Sequence, residues 1–467
     1  MALTLLEKLW RRHSIVDLGE GFHLLFVDRH LLNDLAGRGF LALNRRGLPL
    51  RHPELTFATA DHTVATLWNA DQDPRGLHND YAKNLRDNAA KHGFRLFDVG
   101  DADHGIVHVI AAEQGLALPG LTIACGDSHT CTLGAIGALA WGIGQSELVH
   151  VLATQASVQR QPAAMRVNLE GSLPGGVSPK DVILHSIGRL GVAGAAGFAV
   201  EFAGPVIERM SMEGRFTICN MAVELGARFG LIAPDEITFA YLHDRPYAPR
   251  GPQWDAALRD WRSLGSDEGA GFAVDKTIDV SSIEPQVTWG TTPGQVIGIG
   301  ENIPKPGAFT GEAANAAQLA LDYIGLTAGV PIKGTPIDVV FIGSCANGRL
   351  SDLREAAIVA RSRQVAPHVT AWVSPGSEPV RRAAEAEGLA QIFRAAGFNW
   401  GRPGCSMCAG SGDMMREIAS PNQRIVSTTN RNFVGRQGPG SRTHLASPSM
   451  AAAAALKGYI ADVRELI

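Results

Sequence analysis

Two cysteines sit on one short stretch, Pro403-Gly404-Cys405-Ser406-Met407-Cys408, and a third closes Gly343-Ser344-Cys345 well upstream. Thiolates are the natural ligands of iron–sulfur clusters. Four of them close a cluster, whereas three leave one metal free to bind something else. That is the difference between a structural and a catalytic metal site. Taken alone, a CxxC is also the mark of a redox turn or a zinc knuckle. Structural zinc needs a second pair of ligands nearby, and the other cysteines, Cys125, Cys131 and Cys219, lie far upstream. These three read as packing residues, since free cysteine behaves as a small buried hydrophobe. A second group pairs histidine with carboxylate: Asp61-His62, His108, Asp127-Ser128-His129 and Glu224. Histidine near its ordinary pKa suits proton transfer at neutral pH. Taken alone, His108 and His129 read more readily as satisfied structural residues, whereas His62 ends a strand, where sites of α/β proteins lie. Arg431 and Arg436 share one glycine-containing loop. A guanidinium binds a carboxylate through two parallel hydrogen bonds, which suits a dicarboxylate; a solvated loop is the plainer alternative.

These residues need elements to hold them. A recurring order of apolar strand, polar loop and helix predicts an α/β protein with ligands at the carboxyl ends of its strands. Leu55–Thr59 reads as a strand that ends at Asp61-His62, and Leu121–Cys125 as one that ends at Asp127-Ser128-His129. Gly105–Ile110 alternates like a strand carrying His108. A polar helix is expected over Asp80–His92, and another from about Ser146, capped by its hydroxyl. His23–Val27 reads as a strand followed by Asp28-Arg29-His30. Further on, Lys180–Leu190 reads as a helix, Ile337–Ile342 as a buried strand leading to Cys345, and Ser377 as a helix cap. Gly397 is a stop signal, and Arg424–Ser427 is a last strand before Asn430. The segment from Pro246 to about Gly311 is rich in Pro, Gly, Asp and Thr, with a linker toward its far end. No internal repeat is apparent.

At 467 residues the chain has room for about three domains. The expected boundaries are 1–163, 164–290 and 291–467. A net charge of −4, without a basic block, gives no electrostatic reason to expect nucleic acid. There is no apolar run of about 18 residues, so no membrane span is expected. Six unevenly scattered cysteines do not form a secreted disulfide framework, which makes the cytoplasm the expected location. Gly142-Ile143-Gly144 lacks the third glycine of a dinucleotide fingerprint, and there is no phosphate loop or nucleophile elbow.

Several stretches, in this order, resemble the aconitase superfamily, and within it the large subunits of the isopropylmalate isomerases. They are Ala60-Asp61-His62, Gly105-Ile106-Val107-His108, Cys125 to Thr130, Ile218-Cys219-Asn220-Met221, Gly343 to Asn347, Pro403 to Cys408 and Asn430 to Gln437. The resemblance covers nearly the whole chain. It implies an aconitase-like three-domain α/β/α architecture around a central cluster, without the mobile fourth (swivel) domain. One [4Fe–4S] cluster would be held by Cys345, Cys405 and Cys408, leaving one open iron to act as Lewis acid on a substrate hydroxyl. By the same resemblance His62 is the general acid, oriented by Asp61. His108, His129, Asp127 and Glu224 hold water and hydroxyl, and Ser128, Asn33, Arg431 and Arg436 bind the substrate. Asn220, Asn347 and Asn430 lie beside the cluster. The reaction implied is dehydration and rehydration of a small hydroxy acid with two or three carboxylates, as in leucine biosynthesis. A separate small subunit would supply the missing domain and the base, in a heterodimer or a dimer of heterodimers.

The chain departs from the usual leucine-pathway pattern at Asn33, Leu133, Phe198, Ala346 and Gly348, and in Ala409 to Asp413 after the last cysteine. The ligand and acid–base sets are intact, so the departures bear on the substrate. Citramalate, a benzyl-type malate or a homocitrate-like acid is the alternative to 2-isopropylmalate. RNA binding by a cluster-free chain is a reading from another class, opposed by the acidic balance. A structural zinc or redox protein is a third.

Overall fold

A computed structural model describes residues 2–66, 79–409 and 417–467. The chain divides into two compact units, Met1–His62 with Leu77–Gly171 and Ala193–Asp279, and Thr63–Gly76 with Ser172–Val192 and Val280–Ile467. Residues Gly410 to Asp413, where the sequence departs from the family pattern, lie outside the described residues.

The first unit is built on a five-stranded parallel sheet. Its spatial order is Arg95–Phe97, Thr56–Thr59, Arg29–Leu32, Thr122–Cys125 and Leu139–Gly142. Numbered along the chain this is 3-2-1-4-5. The order reverses between Arg29–Leu32 and Thr122–Cys125, and ligands in open α/β sheets gather at the carboxyl ends beside such a reversal. Asn33 follows the first of these strands directly, and Asp127 comes two residues after the second. Both strands are nearly wholly buried, as parallel strands covered on two faces must be. A second, four-stranded parallel sheet has the order Phe229–Leu231, Phe198–Ala203, Ala163–Glu170, Val274–Asp279. A small antiparallel sheet joins Ser14–Gly19, Phe22–Phe26 and Ala156–Arg160.

The second unit repeats the plan. Its parallel sheet runs Asn399–Trp400, Thr370–Val373, Val339–Ile342, Arg424–Ser427, Arg442–Leu445, again 3-2-1-4-5. Here the reversal lies between the strand that leads to Cys345 and the strand that leads to Asn430. Its core is largely alanine and branched aliphatic side chains from the sheet and from the helices Leu350–Ala360 and Pro448–Lys457. The helix Pro179–Leu190 belongs to this unit and packs on the hairpin Gln286–Thr288 and Val296–Gly298.

Most local expectations agree with these elements. The helix Asp80–His92 is capped by Asn79 and stopped by the left-handed Gly93. Ser377 accepts from Val380 N, and Gly397 ends its helix with φ 94°. Three expectations differ. Gly105–Ile110 is not a strand: Val107–Glu113 is a helix, because the Asp61 carboxylate accepts from Val107 N at its start and overrides the β-branched pattern. Ser146 is not the cap; Gly144 is, and its N–H donates to Glu147. Arg29–Leu32 is the first strand of the main sheet, concealed in the sequence by the polar Arg29 and His30 at its start.

Candidate active site

In the first unit the expected acid–base residues form one hydrogen-bonded network. His62 Nδ1 lies 2.6 Å from Asp61 Oδ1, and Nε2 lies 3.1 Å from Asp127 Oδ2. Asp61 is tied down by Val107 N, and His62 N donates to Asp34 Oδ1 at 3.1 Å. Asp127 Oδ1 accepts from His129 N at 2.7 Å, and His129 Nε2 lies 3.0 Å from Glu224 Oε1. His108 Nε2 reaches Thr130 Oγ1, whose hydroxyl donates to Asp127 O. Asn33 Nδ2 lies 3.3 Å from His62 Nδ1, and the Asn33 oxygen accepts from Leu35 N. Asn220 is buried and donates to Thr132 Oγ1.

Glycine makes one of these approaches possible. A Cβ on Gly142 would lie 2.6 Å from Asp127 O, so the loop can fold this close only over a residue without a side chain. Ser128 is exposed beside a cleft of about 970 Å³ that is also lined by Ile143, Val223, Arg160 and Arg228.

The electrostatics separate the histidines. Burial disfavours a charged His62 ring, but the carboxylates of Asp61 and Asp127 outweigh it and raise the pKa well above the usual value. With a carboxylate on each ring nitrogen, the doubly protonated ring satisfies both contacts. Burial likewise works against ionised Asp127, and hydrogen bonds from His129 and His62 overcome it, holding the carboxyl well below its usual range. His108 goes the other way. Burial brings it down to about 4, so it is a neutral ring at pH 7. One network therefore holds a charged proton donor and a neutral histidine.

In the second unit the three cysteines are buried and are thiols, not disulfide sulfurs. The short helix Ser344–Asn347 packs on the turn Ser406–Ala409, which brings the segments of Cys345, Cys405 and Cys408 together. Ser344 and Ser406, each next to one of these cysteines, have φ of 75° and 49°. Two non-glycine residues in the left-handed region are a cost borne where a site needs it. Asn430 Nδ2 lies 3.5 Å from Cys345 Sγ, a donor on a sulfur. Asn347 donates to Asp352, which also fixes Arg349 N in the first turn of its helix. The sequence of this unit contains no fourth cysteine. Three buried thiols with an amide donor on one sulfur fit a cluster with one metal left without cysteine; a closed tetrahedral zinc lacks its fourth thiolate.

Arg431 and Arg436 lie on the loop that follows Asn430. The loop is rigidly anchored: Asn432 Nδ2 donates to Gly290 O at 2.7 Å, and Gln437 Nε2 donates to Met407 O and Ser427 Oγ. Arg436 stacks its guanidinium over Phe433, 5.3 Å from the ring centre.

Residues 7–458 match the aconitase family (aconitate hydratase). The chain belongs to the aconitase family. It is 55% identical over 465 residues to the 3-isopropylmalate dehydratase large subunit 1 of Bradyrhizobium diazoefficiens, covering 99% of this chain and 97% of that protein. The holo-form of Thermococcus kodakaraensis aconitase X is similar over 92% of this chain and 89% of its own, with 11% identity and a TM-score of 0.46.

Of the expected departures from the leucine-pathway pattern, two have physical reasons here. Leu133 is wholly buried and packs as a hydrophobe. Gly348 leaves no room for a side chain, since a Cβ would meet Ser344 O at 2.8 Å and Gly376 N at 3.1 Å. Nothing in the structure explains Phe198. Sequence reasoning passed over Asp34, Thr130, Thr132 and Lys180, which hold site residues in place. Asp34 stands beside Asn33 and Thr130 closes the stretch Cys125 to Thr130, so both had a signal in the sequence; Thr132 and Lys180 carry none outside the fold.

Proposed function

We propose that this chain is the large, catalytic subunit of a 3-isopropylmalate dehydratase, interconverting 2- and 3-isopropylmalate in leucine biosynthesis by dehydration and rehydration. The observation that carries the reading is the 55% identity, end to end, to the large subunit of that name. The carboxylate–histidine network and the three thiols, two on one turn and one on the helix Ser344–Asn347, are the chemistry such a reaction requires.

In this reading Cys345, Cys405 and Cys408 hold a [4Fe–4S] cluster, which supplies Lewis acidity toward the substrate hydroxyl when bound. His62 carries the proton that the departing hydroxyl takes up. Asp61 and Asp127 keep that proton on the ring at neutral pH. His129 and Glu224 form a second pair able to hold a water, while neutral His108 accepts or donates a hydrogen bond without adding charge. Ser128 donates to one substrate carboxylate, and Arg431 and Arg436 bind the other. A separate small subunit completes the enzyme, and the cytoplasm is its location. Among the described residues no helix is long and apolar enough to cross a membrane.

The test is to co-express the chain with its small subunit and purify both without oxygen. Iron and sulfide are quantified, and ultraviolet absorbance of the unsaturated intermediate is followed with 2-isopropylmalate, citramalate and citrate. Turnover favouring 2-isopropylmalate is expected. Turnover on another 2-substituted malate alone would replace the substrate, and zinc in place of iron after anaerobic reconstitution would remove the reaction.

A further inference from the structure

Lys180 is 0% exposed, so its ammonium is fully withdrawn from water. A buried charge is expensive unless hydrogen-bonded, and this one is spent on two backbone oxygens. Nζ donates to Thr428 O at 3.0 Å and to Thr429 O at 2.7 Å. The last sheet bond of this strand is Thr428 N to Phe341 O at 3.0 Å, and the two carbonyls lie past the paired residues Arg424–Ser427. The Thr429 carbonyl shares its peptide plane with the Asn430 N–H. Fixing that oxygen therefore fixes the backbone from which Asn430 reaches Cys345 Sγ and from which Arg431 departs.

The other attachments converge on the same place. Thr428 Oγ1 accepts from Gly343 N at 2.9 Å and donates to Gly343 O at 3.0 Å, on the turn before Cys345. Lys180 is itself held at the start of its helix. Its neighbour Asp181 is buried and accepts from Ser178 N, Ser178 Oγ and Gln286 N. The helix start is thus a fixed post, and the ammonium is the arm that ties the Asn430 loop to it.

We propose that Lys180 is a positioning residue: its ammonium clamps the peptide planes Thr428–Thr429 and Thr429–Asn430, and so sets the Asn430 amide on the Cys345 sulfur and the backbone that leads to Arg431. The consequence for the cluster and the substrate rests on the function proposed above, whereas the clamp itself does not.

The experiment uses K180M, which keeps the stem and loses the donors, and K180Q, which keeps an amide donor should K180M not fold. Amide hydrogen exchange is measured on the metal-free full chain. Exchange across residues 428–432 is expected to be about tenfold faster, with the strand Val339–Ile342 unchanged. A merely structural lysine would speed both alike. In the reconstituted enzyme with its small subunit, iron release to a chelator is followed in a cycle with N430A. If Lys180 acts through Asn430, removing it on the N430A background changes the release rate by less than about twofold. Unchanged exchange across 428–432 in the folded variant, or fully additive release rates, overturns the proposal. An iron-free wild-type chain would sink the cluster reading alone, and the exchange result would still decide Lys180.

Discussion

His62 holds its proton because two carboxylates face its two ring nitrogens, Asp61 at 2.6 Å and Asp127 at 3.1 Å. Replacing His62 with Ala should lower kcat by about 10²- to 10⁴-fold, the usual contribution of a general acid, with iron content unchanged. Asp127→Asn removes one of the two charges, so the His62 pKa should fall toward 6.5. On the proposed function the protonated ring is the active form, so the alkaline limb of kcat/KM should move to lower pH. A limb that stays in place would take Asp127 out of control of the acid. The sign for stability follows from the same raised pKa. The stabilisation from protonated His62 is complete below the unfolded value near 6.5 and is lost as pH rises through the higher folded value. The types of these residues and the Asp61–His62 pair were legible in the sequence, but the partners of the other carboxylates were not. Asp61 and His62 are neighbours, whereas Asp127 and Glu224 reach their histidines across 65 and 95 positions. Only the sheet order brings such residues together.

At the scale of the element, legibility follows where local and tertiary forces agree. Asp80–His92 has a cap, a stop and an amphipathic face, and the sequence and structure coincide. Val107–Glu113 has a strand-like pattern, and its helix depends on a carboxylate 46 positions away. The repeated 3-2-1-4-5 sheet left no trace as a sequence repeat, because strand order is set by connections and not by residue types. Gly348 shows the same dependence on context. Restoring the usual serine there puts Cβ 2.8 Å from Ser344 O, and the nearest atoms are backbone. Gly348→Ser should therefore destabilise the chain by about 1–3 kcal/mol, as overpacking does. It should also loosen Cys345, three residues away, which iron release alongside thermal unfolding would report. An unchanged midpoint would mean that the turn shifts without cost.

At the scale of the whole molecule the question is what discriminates one malate from another. The side chains given a substrate contact, Ser128, Asn33, Arg431 and Arg436, are all polar. They read carboxylates and a hydroxyl, which every 2-substituted malate shares. An alkyl group is read by an apolar wall, and a methylene there is worth about 1–3 kcal/mol, or 10- to 200-fold in kcat/KM. On the proposed function that wall belongs to the small subunit. Two expectations separate the two kinds of recognition. Arg436→Lys loses the guanidinium fork and should raise KM for isopropylmalate and citramalate alike, leaving their ratio of kcat/KM unchanged. Pairing this chain with a small subunit from a relative of different preference should shift that ratio, by up to about 200-fold, while KM for the shared dicarboxylate part stays similar. A ratio that follows this chain through every pairing would place the wall here, and Ile143 and Val223, in the cleft beside Ser128, would then be the first residues to exchange.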